Sequence, residues 1–170
     1  MRLVKHLLVL LLFCFICASC DRSKIPGISE WTTFSPAGER FSVLMPTEPT
    51  STTVMGEGQV PVHFFTARPS KDYAFVVSHN SFPPNADLTK AFDSMKAYII
   101  INNGGQLISD KDIALHGIPG RQFVYEKEDR VVSLRSYLID REVYQVFCVM
   151  PTESVDQKIV NEFLDSFQLK

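Results

Sequence analysis

Three histidines are the residues of this chain best suited to bind a metal or move a proton, because imidazole ligates transition metals and titrates near neutral pH. His63, His79 and His116 fall in a predicted hairpin, at a strand end and in a loop. They can converge on one ion only if those elements meet in space. The favoured interpretation is therefore surface or internally hydrogen-bonded histidines, with a shared metal site as the alternative.

Two sets of charged side chains also invite a chemical interpretation. The acidic set comprises Glu126, Glu128 and Asp129. It could form a paired-carboxylate or calcium site, but a solvated hairpin tip is favoured because nothing nearby in the sequence would desolvate these acids. The basic set comprises Arg121, Arg130, Arg135 and Arg141. A solvated strand edge is favoured over an anion pocket for these arginines.

Motifs of known catalysts are missing from the sequence. Beyond the N-terminal segment 1–20, it contains no Gly-x-Ser-x-Gly, no phosphate-binding glycine loop, no Cys-x-x-Cys and no His-Glu-x-x-His. We therefore predict a protein that is not an enzyme, with no catalytic, cofactor-binding or metal-binding residues.

The cysteines predict a domain without disulfides. Of the four in the sequence, only Cys148 lies beyond residue 20, and a secreted domain with one thiol has no disulfide framework. Cys148 stands among apolar residues of a predicted strand, which indicates a buried, inert thiol.

The first nineteen residues predict an export signal. Arg2 and Lys5 give a positive start, and the apolar run from Leu7 to Ala18 follows. At about twelve residues, this run is shorter than the ~20 that a membrane-spanning helix needs.

The end of that segment, Ile16 to Cys20, resembles a bacterial lipobox, in which small residues precede a cysteine that is acylated. The resemblance implies Cys20 as the lipidated N-terminus of an exported protein, anchored on the periplasmic or extracytoplasmic face of the cell membrane. The alternative is an ordinary signal peptide cut near Ala18 or Ser19. Asp21 resembles the inner-membrane retention signal of enteric lipoproteins.

The elements that must position these side chains centre on a meander from Ile118 to Met150. β-Branched and aromatic residues predict three strands, with turns at 128–129 and 140–141. The last strand is apolar on both faces, so both faces need cover.

Two amphipathic helices could supply that cover. The first is predicted to start at the N-cap Asp87 and end before Gly104, and the second to start with a capping box of Ser154 and Gln157. Their apolar stripes are Leu88, Phe92, Met95 and Ile99, then Val155, Ile159, Phe163 and Phe167. The predicted fold is α+β, an antiparallel β-sheet sandwiched between helices.

Composition places one domain behind a short tether: a lipoprotein-type signal peptide over 1–19, a tether over 20–30 and a single domain over 31–170. Without the signal the net charge is −4, because the 17 basic residues lose Arg2 and Lys5 against 19 acids. This balance argues against a nucleic-acid partner and a polybasic membrane surface.

The order of elements resembles the PsbP/Mog1-type fold superfamily, and its bacterial lipoprotein members of unknown function in particular. The local sequence is similar to these proteins in the segments 34–46, 115–121, 144–146 and 163–167, where apolar strand residues and turn glycines recur. The resemblance implies a non-enzymatic domain that binds an envelope protein or assists assembly. The alternative is a small-ligand or metal-binding protein using the histidines or the loop 80–87.

Overall fold

A computed structural model describes residues 25–56, 59–102 and 104–170. The strands are β1 (Thr32–Phe34), β2 (Phe41–Met45), β3 (Thr50–Met55), β4 (Pro61–Ser70), β5 (Tyr73–Ser81), β6 (Gln106–Leu115), β7 (Ile118–Lys127), β8 (Arg130–Ile139), β9 (Glu142–Pro151) and β10 (Gln168–Leu169). The helices are α1 (Ala91–Ala97), which continues as a π-helical turn over Tyr98–Asn102, and α2 (Gln157–Asp165). Short 3-10 turns lie at Ile28–Glu30 and Thr152–Ser154.

A seven-stranded antiparallel sheet is the frame of the domain, in the order β3-β4-β5-β9-β8-β7-β6. The predicted meander is confirmed as β7, β8 and β9, with turns at 128–129 and 140–141. The two strands that are apolar on both faces, β5 and β9, are neighbours at the centre of the sheet. Central strands are buried from both sides, and this explains their continuous apolar sequence.

One face of this sheet carries the main core. Cover comes from a second, three-stranded sheet, β1-β2-β10, together with α2. The predicted core residues Val146, Cys148, Met150, Phe163 and Phe167 are all buried in this layer. The phenylalanine rings of α2 and β5 meet edge to face, with Phe163 and Phe75 centroids 5.1 Å apart.

The opposite face carries a smaller core. Ile99 of the π-helical turn is buried there against Phe123, Tyr125, Val132 and Leu134, and Met95 of α1 packs beside them. The following residues Ile100 and Ile101 are exposed.

The structure confirms a mostly antiparallel β fold, but not a sheet sandwiched between helices. α2 shares its face with β1, β2 and β10, which occupy much of the layer that the sequence had assigned to a helix. On the other face, α1 has only seven residues. The β-branched run at 99–101 disfavours a regular α-helix there, and the chain forms a π-helical turn.

Both predicted helix starts are wrong in detail. Asp87 uses its carboxylate to accept hydrogen bonds from the Thr89 amide and hydroxyl at 3.0 and 2.6 Å, so its turn ends before α1 begins at Ala91. In α2 the cap is Asp156, which accepts from the Lys158 and Ile159 amides. The predicted cap Ser154 instead hydrogen-bonds to the Tyr73 hydroxyl.

The predicted signal peptide over 1–19, the predicted lipid acceptor Cys20 and the predicted tether as far as residue 24 lie outside the described residues. Within the described ranges, no helix has the length and apolarity needed to cross a bilayer.

Candidate functional site

A polar cluster closes the main core at one end of the two central strands. β5 turns Phe75, Val77 and then His79 toward the main core, because side chains two apart share a face of a strand. His79 lies directly opposite Tyr144 of β9, and the two rings stack at 4.5 Å and 3°. The apolar face of the sheet therefore ends in a stacked histidine and tyrosine.

The His79 ring lies between two carboxylates. Its Nδ1 is 2.9 Å from Glu39 Oε2, and its Nε2 contacts Glu142 Oε2. Glu39 belongs to the loop before β2 and Glu142 opens β9, so the contact joins both sheets. All three side chains are largely shielded, with exposures of 18%, 14% and 37% for His79, Glu39 and Glu142. The contact between His79 Nδ1 and Glu39 Oε2 lacks hydrogen-bond geometry, and both buried atoms are without a hydrogen-bond partner in the described part of the chain.

Each oxygen of the Glu142 carboxylate already accepts one hydrogen bond. Ser81 Oγ donates to Oε1 at 2.6 Å, while His79 holds Oε2. Burial by itself raises the pKa of Glu142, but the hydrogen bonds from Ser81 and His79 and the charge of Arg40 outweigh it and lower that pKa. The pKa of the Tyr144 hydroxyl is raised by burial and by the negative charges of Glu142 and Glu39, which keeps it a phenol.

Two of the three predicted histidines are brought together. His63 of β4 lies directly opposite His79, with ring centroids 6.3 Å apart, and its Nδ1 hydrogen-bonds to Thr53 Oγ1 at 3.0 Å. His116 is separate: it lies in the turn between β6 and β7 and bonds to Gln168 Oε1 at 3.1 Å. Among the described residues, no group of three or more potential ligands has the geometry to hold a metal ion.

A cavity of about 260 Å³ opens beside this cluster, where the small sheet parts from the large one. Its apolar wall includes Ile118, Ile139 and Leu169. Arg40 and Tyr144 also line it. In the described part of the chain, Arg40 makes no ion pair and the Tyr144 hydroxyl makes no hydrogen bond.

The four predicted arginines do not form an anion pocket, because each has its own partner. Arg121 pairs with Asp110 and Asp112, Arg130 with Asp72 and Asp129, and Arg135 with Asp165 and Gln122. Arg141 donates to the carbonyl oxygens of Phe82, Pro83 and Ala86, and so fixes the loop after β5.

The predicted acidic set lies near the turn between β7 and β8. Glu128 and Asp129 are exposed turn residues, Asp129 pairs with its neighbour Arg130, and Glu126 accepts from Thr152 Oγ1 at 3.1 Å. Their environment is a solvated hairpin tip, as expected.

Sequence reasoning missed Glu39 and Glu142, which come from positions far from His79 along the chain. No local spacing marks them, because their meeting depends on strand register and on how the small sheet packs. The one local signal was a histidine ending an otherwise apolar strand.

Comparison with known proteins finds similarity in the fold. No protein-family model matches the sequence, and no curated protein is significantly similar to it. The solution structure of cyanobacterial PsbP (CyanoP) from Synechocystis sp. PCC 6803 gives a TM-score of 0.62 at 15% identity, covering 85% of this chain and 95% of that one. A protein of unknown function from Pseudomonas aeruginosa gives 0.44 at 13% identity, over 72% of this chain and 84% of that one. The likeness to the cyanobacterial protein confirms the expected PsbP-like fold.

Proposed function

We propose, starting from the PsbP-like fold, that this chain is an exported lipoprotein anchored through Cys20, whose domain is a non-enzymatic binding module for an envelope protein. The proposed contact is the free edge of β3, along which an extended segment of the partner adds a strand. The exposed state of this edge is the observation that carries the proposal.

β3 has the chemistry of a strand that is open to pairing. It is an outer strand of the seven-stranded sheet, and all six of its residues, Thr50–Met55, are exposed. It contains no charged residue and no proline, and it pairs with β4 without a register shift. Regular, uncharged edges present unpaired backbone groups that accept another strand.

The opposite edge, β6, has the features that discourage such pairing. Its register shifts between Leu107 and Ser109, which marks a bulge. It also carries Asp110, Lys111 and Asp112 in succession. Bulges and charges are the devices by which sheet proteins protect an edge, so the contrast supports β3 as the binding edge.

The absence of charge on β3 also defines the partner. A charged side chain in the added strand would find no opposite charge on the residues of β3. The favoured partner is therefore an extended, uncharged segment rich in β-branched residues, which have high strand propensity.

Crosslinking in cells tests this proposal. A photoreactive amino acid at Thr52 should crosslink to one envelope protein, and mass spectrometry should map the adduct to an extended, uncharged segment. The matched control carries the same group at Lys111 on the protected edge. Adding Thr53→Lys to the Thr52 variant should abolish the adduct, since a charge is placed in the pairing edge. Equal capture from both edges, or an adduct that survives Thr53→Lys, contradicts the proposal.

A further inference from the structure

We infer that the cavity between the two sheets is a binding site for a small carboxylate with a short apolar body. This site is independent of the β3 edge and goes beyond the proposed protein-binding function. The inference rests on the shape of the cavity, on its unpartnered donors and on the rigid support of Tyr144.

The cavity has the size and lining of a small-molecule site. Its volume of about 260 Å³ lies just below the ~300–1,000 Å³ of pockets for drug-sized ligands, so it suits a smaller compound. Ile118, Ile139 and Leu169 come from three different strand regions and offer an apolar surface. Ile139 and Leu169 pack against the main core, so this part of the wall belongs to the folded framework.

The polar groups that remain available in the cavity are mainly donors. Arg40 has no ion pair among the described residues, in contrast to the arginines of β7, β8 and the β8–β9 turn. Tyr144 is 2% exposed, and its hydroxyl has no hydrogen-bond partner in the described ranges although the residue lines the cavity. Lys170 and His116 add donor nitrogens, one already shared with Ser35 and the other with Gln168. A guanidinium fork and a phenol suit a carboxylate.

The two acids that line the cavity limit where a carboxylate can bind, because Glu142 stays negatively charged and its charge is only partly balanced by Arg40. Both oxygens of Glu142 already accept hydrogen bonds, from Ser81 and His79. Asp140 is an exposed turn residue at the rim. The ligand carboxylate is therefore placed toward Arg40 and Tyr144, away from Asp140.

The cluster around His79 acts as a support for this site. Tyr144 is stacked on His79, which is in turn held by Glu39 and Glu142. A donor fixed in this way needs no reordering when a ligand binds. His79 is thus a positioning residue for Tyr144, and its contacts with Glu39 and Glu142 place a polar cluster at the end of the apolar core.

Titration with hexanoate, followed by NMR of the backbone amides, tests the inference. Hexanoate should shift the amides of Ile118, Ile139 and Leu169, whereas hexylamine, with the same apolar body and the opposite charge, should not. Arg40→Gln should weaken hexanoate binding about tenfold and Tyr144→Phe about threefold, in line with a charged and a neutral hydrogen bond. Arg68→Gln, which changes an exposed arginine of β4, is the control and should leave the affinity unchanged.

Three results would overturn the inference. The first is no shift of the cavity amides up to about 50 mM hexanoate, beyond the millimolar range of weak fragments. The second is equal binding of hexylamine. The third is unchanged affinity in Arg40→Gln, a surface variant that keeps the core intact and so remains informative even if Tyr144→Phe unfolds.

Discussion

Asp110 of β6 pairs with two basic residues, Arg121 and Lys96. Arg121 donates to both of its carboxylate oxygens, and Lys96 of α1 lies 2.8 Å from Oδ2. The hydrogen bonds from Arg121 lower the pKa of Asp110 to about 2, against the opposing effect of burial. The network ties α1 to the sheet, and its energetic contribution must depend on pH.

Asp110→Asn should therefore destabilise the domain at neutral pH, and the free energy of unfolding of the variant should fall less steeply at acidic pH than that of the parent. Because the pKa of Asp110 is lower in the folded protein than the value of 3.8 in the unfolded chain, the ionised carboxylate stabilises the folded state above pH 3.8. This stabilisation is lost as the pH falls toward 2. The lowering of the Asp110 pKa corresponds to at most about 2 kcal/mol in the free energy of unfolding. Urea unfolding at several pH values checks this expectation.

Asp112→Asn is the matched control for that experiment. Asp112 also contacts Arg121, at 2.8 Å, but its side chain is 87% exposed, so the change should cost less than about 1 kcal/mol. If the Asp110 variant retains the full acid dependence of the parent, the network contributes no stability.

Residue environments were predictable from sequence where burial alone decides them. Cys148 was expected to be buried and inert, and burial raises the pKa of its thiol to about 12. The pairing of His79 with Glu39 and Glu142 was not predictable, because it depends on the packing of two sheets.

α2 is the element on which the main core most depends. Val160, Phe163 and Leu164 are buried, whereas Val155 and Ile159 of the predicted stripe are exposed and half-buried. The predicted stripe followed a spacing of four residues throughout. The helix begins only at Gln157, capped by Asp156, and its buried face also includes Val160 and Leu164, which a strict spacing of four residues omits.

Phe163→Ala should lower the free energy of unfolding by roughly 3–5 kcal/mol, the range for a buried aromatic ring. Phe163 is fully buried, and its ring meets that of Phe75 at 80°. Lys158→Ala on the exposed side of α2 is the control and should change stability by no more than about 0.5 kcal/mol. Thermal or urea unfolding gives both values, and a Phe163 variant as stable as the control would mean that α2 does not hold the core.

At the scale of the whole molecule, the segment just before β1 is already packed against the domain. Ile25 and Ile28 pack against the main core, and the Trp31 indole donates to the Pro26 carbonyl at 3.0 Å. Only residues 20–24 separate this segment from the proposed anchor, and five extended residues span at most about 18 Å. Trp31 contacts Phe75, whereas the cavity is lined by Tyr144 and Glu142, which lie opposite His79 and Ser81, about 14–20 Å further along β5. In the proposed lipoprotein, the cavity therefore lies at the end of β5 away from the anchored segment.

Cys20→Ser should move the protein from the membrane fraction to the soluble fraction, because the proposed acyl chains are the attachment. Cys17→Ser is the control and should remain with the membrane, since it leaves the acceptor cysteine in place. Cell fractionation and blotting give the result. A Cys20 variant that stays with membranes as fully as the parent would show that attachment does not depend on this residue.

The strands of the large sheet followed from local signals such as apolar strand residues and turn residues, and the same signals predict short strands at 31–34 and 40–44, where β1 and β2 form. The third strand of the small sheet, β10, was not predicted, because its two residues carry no recognisable period. β10 becomes a strand only because β2 is held beside it by α2, through contacts such as the Ser166 hydroxyl accepting from the Leu44 amide at 3.0 Å. Strand pairings between residues this far apart in sequence depend on how the whole domain packs, so local sequence patterns do not predict them.

That same bond between Leu44 and Ser166, which are 122 positions apart, has a consequence for how the chain is made. A polypeptide that emerges from a ribosome or a translocation channel presents β2 long before α2. The main core must then wait for nearly the whole domain to be released, and such late closure is slow. For the exported lipoprotein proposed above, a main core that closes this late would leave the chain unfolded while it passes through a translocation channel.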